Sequence, residues 1–285
     1  MIPILIDGVV QGLQLSLLAV GITLIYGLGG VLNLAHGQFA VIAGISTALF
    51  IDQGLNPVLA SAAGVMTAGL FGLVIDRSLM VPAYRYKGEE RLLLGLLLTL
   101  GLSFVVDGFL NFRYSNVALS LRLPVPSLNL GGVTIRTASV GTSLIAVVAF
   151  VLLGIFLKGT LLGKAIRSII QNEVGAELCG IDPTRIRTLI VMLSALMAGL
   201  GGIAQGLFSS LGPEMGVEFT IMALIVAVVG GVRSVNGTLA AGILLGVVNA
   251  VASFYIGAYL TLIILLGAAM LTILIRPSGL LAQWT

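Results

Sequence analysis

Charge is what this sequence has least of. Of its 285 residues only 9% are Asp, Glu, Lys or Arg, against about 25% in an ordinary soluble domain. With 58% of residues hydrophobic and a mean hydropathy of +1.17, a water-soluble globule is excluded and a polytopic membrane protein is expected. Cysteine is nearly absent: Cys179 stands alone, which excludes an internal disulfide framework and leaves the redox compartment unread. There is one histidine, His36, and no closely spaced acid pair within an apolar stretch, so little is present from which to build a hydrolase or a metal site. No GxxxxGK[ST] phosphate cradle occurs, so the chain cannot supply an ATPase of its own. No basic run is interleaved with aromatics. The pI near 9.2 reflects loop Lys and Arg that membrane topology accounts for, and nucleic acid is not an expected partner. No Lys or Arg precedes Arg77, so the first apolar run lacks the n-region of a cleaved signal peptide and reads as the first span of the mature chain.

What the chain does have is apolar length, and a spanning helix needs roughly 20 such residues. Residues 8–51 carry no charge, enough for two spans dividing near Gly29-Gly30. Residues 57–75 make a third, with Pro57 suited to a helix N1 position. Residues 92–111 make a fourth, interrupted only by Asp107; 137–157 and 188–211 make the fifth and sixth. Residues 219–232 are too short for a crossing, and the uncharged 234–275 allow two more spans dividing near Gly257. The expected fold is therefore an all-α polytopic membrane protein, one transmembrane domain over 1–285, with about eight transmembrane helices plus a short or re-entrant segment. Between the fourth and fifth spans, residues 112–136 hold turn clusters at 123–126, Leu128-Asn129 and Gly131-Gly132, which predict an ordered loop.

Orientation follows from the cations. The loop 76–91 carries Arg77, Arg85, Lys87 and Arg91, and the loop 158–187 carries Lys158, Lys164, Arg167, Arg185 and Arg187. Two spans separate them, so they share a side, which the positive-inside rule makes cytoplasmic. Arg233 and Arg276 fall on the same side and the N-terminus falls outside, while Arg113, Arg122 and Arg136 run against the bias. Glu89-Glu90, in a cytoplasmic loop, reads as a solvated charge run.

The longest polar stretch, 158–187, is more than a connection. Residues 164–181 read as an amphipathic helix: Ile166, Ile169, Ile170, Leu178 and Ile181 recur near helical spacing, with Lys164, Arg167, Gln171, Asn172 and Glu173 mostly opposite. Gly180 stops it, and Asp182-Pro183 opens a turn or a new helix. A structured knob of this kind predicts a docking surface for a partner.

Two glycine-broken places repeat Gly-Gly-Val and put Asn and Gly before the next apolar run. The first contains Asn33, His36 and Gly37; the second contains Gly230, Gly231 and Asn236. Broken helices at matching positions point to a transport path, because freed backbone groups survive only beside protein or water; the alternative is a pair of ordinary glycine-rich turns. His36 reads first as a hydrogen-bonded packing residue and second as a proton relay. Asp107 is the clearest intramembrane acid, facing an aqueous cavity or a partner. Gln11, Gln14, Gln205 and Asn249 read as interhelical hydrogen-bonding residues, and the small residues at 195–202 as close helix packing.

The stretch Gly21-Ile22-Thr23-Leu24-Ile25-Tyr26-Gly27, leading to Val31-Leu32-Asn33-Leu34-Ala35-His36-Gly37-Gln38-Phe39, resembles the signature of LivH-type permeases, the membrane subunits of branched-chain amino acid ABC importers. So do Ala165-Ile166-Arg167 through Ala176-Glu177 to Gly180-Ile181, the pair Gly230-Gly231 with Gly237, and the ending Ile275-Arg276-Pro277-Ser278-Gly279-Leu280. The resemblance is collinear over nearly the whole chain. It implies a permease that pairs with a second, homologous permease and with two cytoplasmic ATPases, which hydrolyse the ATP; no cofactor is expected on this chain. A periplasmic or lipid-anchored binding protein would deliver the substrate, and the location would be a bacterial or archaeal cytoplasmic membrane, in contact with its lipid. The knob then takes the role of the coupling helix, with Arg167, Ile169, Ile170, Glu173, Ala176, Glu177 and Gly180 as its expected ATPase-coupling residues. One departure stands out: where the wider importer pattern has Glu-Ala-Ala, this chain has Val174, Gly175 and Ala176, with Glu173 one step early. Glu173 and Glu177 both remain open as the acid that meets the ATPase. Branched-chain or other apolar amino acids are the first expected substrates; relatives are linked to urea, short amides and aromatic acids. An ion-coupled secondary transporter is the runner-up mechanism.

Overall fold

A computed structural model of the chain describes residues 2–29, 31–86, 88–115, 120–121, 128–130, 133–276 and 279. Its elements run α1 (Ile2–Gly29), α2 (His36–Asp52), α3 (Pro57–Ile75), a π-helical turn (Asp76–Met80), α4 (Val81–Ala83), α5 (Glu89–Tyr114), β1 (Leu128–Leu130), β2 (Val133–Ile135) and α6 (Thr137–Gly159). They continue with α7 (Leu161–Gln171), α8 (Glu173–Leu178), α9 (Pro183–Phe208), a 3-10 turn (Pro213–Met215), α10 (Gly216–Gly230), α11 (Val235–Tyr255) and α12 (Ala258–Ile275). Seven helical stretches among the described residues are long and apolar enough to cross a membrane, and Ile263–Thr272 is a shorter apolar helix. The protein is an all-α polytopic membrane protein.

The helix starts are written locally. The Asn56 side chain accepts from the Val58 amide at 2.9 Å, with Pro57 at N1. Asp182 caps α9 through the amides of Thr184 and Arg185, with Pro183 at N1. α10 has 15 residues, about 22 Å of helix, but with the 3-10 turn before it the stretch Pro213–Gly230 is long and apolar enough to cross, so the segment expected to be too short for a crossing is one of the seven. The one sheet element is a hairpin in which Leu128 pairs with Ile135 and Leu130 with Val133. Residues 123–126, Gly131 and Gly132 of that loop lie outside the described residues, as do Gly30, Lys87, Arg122, Pro277, Ser278 and Leu280.

Two further expectations need correction. The polar loop at 76–91 does not begin at Asp76: the third helix carries on through the π-helical turn to Ala83, and Asp76 is fully buried. The coupling segment is not one helix over 164–181; α7 and α8 are separated at Asn172, whose φ of −155 and ψ of 103 are extended. The first two helices divide where expected, α1 ending at Gly29, and α2 starts at His36. Glu89 and Glu90 are exposed in the first turn of α5, as a solvated pair should be.

α1 and α9 form the centre: 78% and 72% of their apolar windows are buried inside the protein, against 22% for α5 and for α6. α1 lies antiparallel against α11, and backbone meets backbone there; a Cβ on Gly12 would sit 2.6 Å from the Gly242 carbonyl oxygen. Ser16 donates to the Gly12 carbonyl at 2.7 Å, and Thr23 pairs with Thr238 at 2.8 Å. Small residues and interhelical hydrogen bonds drive association where both sides of a helix are apolar. Around this centre, α3, α5, α6 and α12 expose large side chains such as Leu70, Phe104, Leu152 and Met270, the surface a bilayer or a partner subunit covers. One end of the bundle carries α7 and α8, the knob; the other carries the hairpin.

Candidate functional site

The first glycine-broken place is a gap in the helical bundle. α1 runs to Gly29 at the knob end, the chain returns as non-helical backbone through 31–33 and a turn at Leu34-Ala35, and α2 starts at His36 beside the middle of α1 and α9. Exposed backbone groups inside a bundle cost free energy unless paired, and side chains from remote helices pair them. Thr99 on α5 accepts from the Leu34 amide at 3.0 Å. Thr220 on α10 accepts from the Gly37 amide at 2.8 Å and donates to the Leu34 carbonyl at 3.2 Å. The Asn33 side chain accepts from the Ala35 amide at 2.9 Å.

His36 is sealed at 0% exposure, its Nε2 2.8 Å from the Leu18 carbonyl and its Nδ1 3.3 Å from the Ser194 hydroxyl. It packs edge-on to Phe39. The residue is a packing histidine that ties the start of α2 to α1 and α9. Gly21 makes room for its ring, and a Cβ on Gly37 would overlap the Gly216 carbonyl and the Thr220 amide. Two buried groups, Asn33 Nδ2 and Gln38 Oε1, have no partner among the described residues.

The second glycine-broken place has a different geometry. Gly230 ends α10, Gly231 takes a φ of +95, and Ser234 caps α11 by accepting from the Gly237 amide at 3.0 Å. This is a tight helix-to-helix turn at the knob end, closed by the approach of Gly230 to Gly237. Asn236 is exposed there, in the first turn of α11. Asp107 sits half-buried on α5, close enough to Glu214 to feel its charge, and belongs neither to the broken stretch nor to the cavity described next.

A cavity of about 270 Å³ lies between α1, α9, α10, α11 and α12 at the hairpin end. Its polar lining comes from Gln11, Gln14, Gln205, Ser209, Glu218 and Asn249, and its apolar lining includes Leu15, Leu18, Phe219 and Leu265. The amides are linked in pairs: Gln14 donates to Gln205, Gln205 to Ser209 at 2.7 Å, and Asn249 to Gln11 at 2.9 Å. The four amides expected to bond between helices do so, and the structure adds that they converge on one cavity. Leu18 belongs to the cavity lining, and its carbonyl is the group His36 holds. Leu18 thus links the cavity wall to the start of α2.

At the other end, α7 packs Gly163, Ile166 and Ile169 inward, and Ala176 does the same from α8. They join Leu24, Ile25, Leu153 and Ile190 in one apolar cluster. Ile169 is 3% exposed and Ile170 is 39% exposed, so Ile169 and Ala176 are buried in the protein's own core. Arg167 donates to the Leu157 carbonyl. Glu173, partly exposed, is paired with Arg187 and lies 3.8 Å from Arg91 on α5. Arg187, 5% exposed, stacks over Tyr84 at 4.6 Å; burial, with Asp76 adding to it, pushes the Tyr84 phenol above its ordinary pKa, so it stays neutral. Thr188 beside it donates to Asp76 at 2.5 Å. The knob therefore presents outward Leu161, Ile170, Val174, Glu177, Leu178 and Gly180. Of these, Val174 and Leu178 lie one helical turn apart at 67% and 84% exposure.

Comparison with known proteins agrees with this anatomy. The family model described as branched-chain amino acid transport system, permease component, matches residues 4–274. The high-affinity branched-chain amino acid transport system permease protein LivH of Escherichia coli K12 is 27% identical over 298 residues, covering 97% of this chain and 94% of that protein. BraD of Pseudomonas aeruginosa, named as the same kind of permease, is 28% identical over 98% of this chain and 95% of its own length. Among solved structures, PsaBC from Streptococcus pneumoniae in complex with Fab shares the fold at a TM-score of 0.52 and 12% identity, over 98% of this chain and 92% of that one. A permease built around a broken helix, a polar cavity and a water-facing knob is what the geometry describes, and the chain belongs to the family of branched-chain amino acid transport system permease components.

Proposed function

We propose that this chain, as one permease domain, is the membrane subunit of an ATP-driven importer that carries branched-chain or other apolar amino acids across a bacterial or archaeal cytoplasmic membrane. A binding protein delivers the substrate, a second homologous permease completes the path, and two cytoplasmic ATPases hydrolyse the ATP; this chain binds no cofactor of its own. Among the described residues, ten of the twelve Lys and Arg lie at the knob end, which supports a cytoplasmic knob and an N-terminus outside.

The observation that carries the coupling role is the apolar tip of the knob. Val174 and Leu178 are exposed on α8 although its Ala176 is buried against the spans. An apolar helix face in water fits a groove on a partner. Closure of the ATPase pair would push α7 and α8 as a lever hinged at Asn172. Glu173 would pass the push to α5 through Arg91 and to α9 through Arg187, and α5 holds the broken stretch through Thr99.

Purification of the tagged protein from its native membrane tests this. The two ATPases and a second permease should come with the wild-type chain, and the ATPases should be lost from a Val174→Asp/Leu178→Asp variant that still inserts. A wild-type chain that purifies alone and transports in liposomes without ATP overturns the reading in favour of an ion-coupled carrier.

A further inference from the structure

The cavity at the hairpin end has a chemical character of its own. Its volume of about 270 Å³ falls just under the ~300 Å³ at which drug-sized sites begin, so it takes a small metabolite and excludes a nucleotide or a peptide. Its lining divides into a polar side and an apolar side. On the polar side, the side-chain bonds use one amide group from each of Gln11, Gln14 and Asn249. The remaining Gln11 amide N–H groups and the Gln14 and Asn249 oxygens are left to meet a ligand. Gln14, at 3% exposure, is buried nearly completely. Among the described residues, Glu218 is the one charged residue of the lining and enters no ion pair, and no Lys or Arg lines the cavity.

That charge pattern selects among small solutes. A carboxylate without a cation beside it attracts an ammonium group and repels an anion. Amide N–H groups can take the ligand's carboxylate, as neutral donors commonly do for anions. Leu15, Leu18, Phe219 and Leu265 on the other side offer an apolar wall. Aromatic acids lack the ammonium and meet Glu218 as like charges. Urea and short amides have no apolar group to fill the wall.

We infer that this cavity is a substrate site within the permease itself, taking one zwitterionic amino acid with its ammonium on Glu218 and the Gln14 and Asn249 amide oxygens, its carboxylate on the remaining Gln11 amide N–H groups and its apolar side chain against Leu15, Leu18 and Phe219. The inference rests on the importer reading above and makes the permease a second filter behind the binding protein. It also places the bound molecule above Leu18, whose carbonyl carries the His36 contact; opening that contact is the step that would release the molecule toward the knob end.

Equilibrium binding of radiolabelled leucine to the detergent-solubilised permease–ATPase assembly, with the binding protein left out, tests it. The competitors are unlabelled leucine, 4-methylpentanoate (leucine without its ammonium group) and acetamide. ATP-driven leucine uptake by the complete reconstituted importer is followed in parallel. The wild type should bind leucine, with unlabelled leucine displacing the label and the other two failing to. Glu218→Gln should weaken binding about tenfold or more, the size of a charge-assisted hydrogen bond. Gln14→Leu/Gln205→Leu, which replaces one amide pair by apolar groups of similar size and so spares the fold, should weaken it too. Glu214→Gln should not. Absence of leucine binding, equal displacement by 4-methylpentanoate, or unchanged affinity in Glu218→Gln overturns the site even where ATP-driven uptake persists. Loss of ATP dependence in the wild type overturns the importer reading instead.

Discussion

Thr220→Val is the sharpest test of how the broken stretch is held. Valine keeps the shape of threonine and removes only the hydroxyl, which in the wild type accepts from the Gly37 amide at 2.8 Å and shares its one proton between the Leu34 carbonyl at 3.2 Å and the Gly216 carbonyl of its own helix at 3.0 Å. No other hydrogen bond among the described residues serves the Gly37 amide or the Leu34 carbonyl, and the surroundings are buried. Each orphaned buried group costs about 1–3 kcal/mol, so the variant should lose about 2–6 kcal/mol. Side-chain hydrogen bonds between membrane helices average only about 0.6 kcal/mol, because the loosened state finds other partners. Backbone groups in a break between two helices have no such substitute within reach, which favours the higher figure. At roughly 2–4 °C per kcal/mol, the thermal midpoint in detergent should fall by on the order of 10 °C. Thr67→Val is the control: that hydroxyl bonds only the Ala63 carbonyl of its own helix, at 2.9 Å, and should shift the midpoint by little. Equal midpoints for the two variants would refute the claim that Thr220 supports the break.

Other substitutions read other parts of the structure. Ile169→Ala should destabilise the protein by about 2–5 kcal/mol, as for a core residue, whereas Ile170→Ala should stay within about 0.5 kcal/mol and instead weaken co-purification of the ATPases; paired melting and pull-down measurements check both. Gly21→Ala adds a methyl where the His36 ring lies. The helix-propensity gain of about 1 kcal/mol is outweighed by overpacking and two lost hydrogen bonds, for a net loss of about 2–4 kcal/mol measurable by thermal unfolding. Glu173→Gln removes the anion from the nearly buried Arg187 while its own side chain is 37% exposed. The expected cost lies between the ~1 kcal/mol of an exposed pair and the ~3–5 kcal/mol of a buried one. Faster proteolytic cleavage between α7 and α9, with the spans intact, would register it.

The sequence announces its helices because their signals are local: apolar length, Pro57 after Asn56, Pro183 after Asp182, Gly231 after Gly230. It also marks the break at 31–37, through Asn and Gly between two apolar runs. It cannot announce the depth of that break, since Leu18, Thr99, Ser194 and Thr220 arrive from four other helices. Ile169 and Ile170 differ by one step on α7, yet one faces the cluster around Leu24 and the other faces out; a periodicity spread over 164–181 blurs that step because Asn172 interrupts the helix and resets its phase. Asp76 looked like a membrane exit, and only the π-helical turn and Thr188 show why a carboxylate is tolerated inside. Gln11, Gln14, Gln205 and Asn249 were each visible as polar residues in spans, but their meeting at one cavity depends on α1 lying between α9 and α11. Glu218 carried no signal of its own, being one acid near a helix start.

The account's central claim is that this chain passes an apolar amino acid only when ATP is hydrolysed on the knob side. The direct measurement is uptake of labelled leucine into proteoliposomes holding the complete assembly, with binding protein outside and ATP or a non-hydrolysable analogue trapped in the lumen. Uptake with ATP alone, abolished by Val174→Asp/Leu178→Asp, is the predicted result. Equal uptake with the analogue, or uptake that follows an imposed ion gradient without ATP, would contradict it.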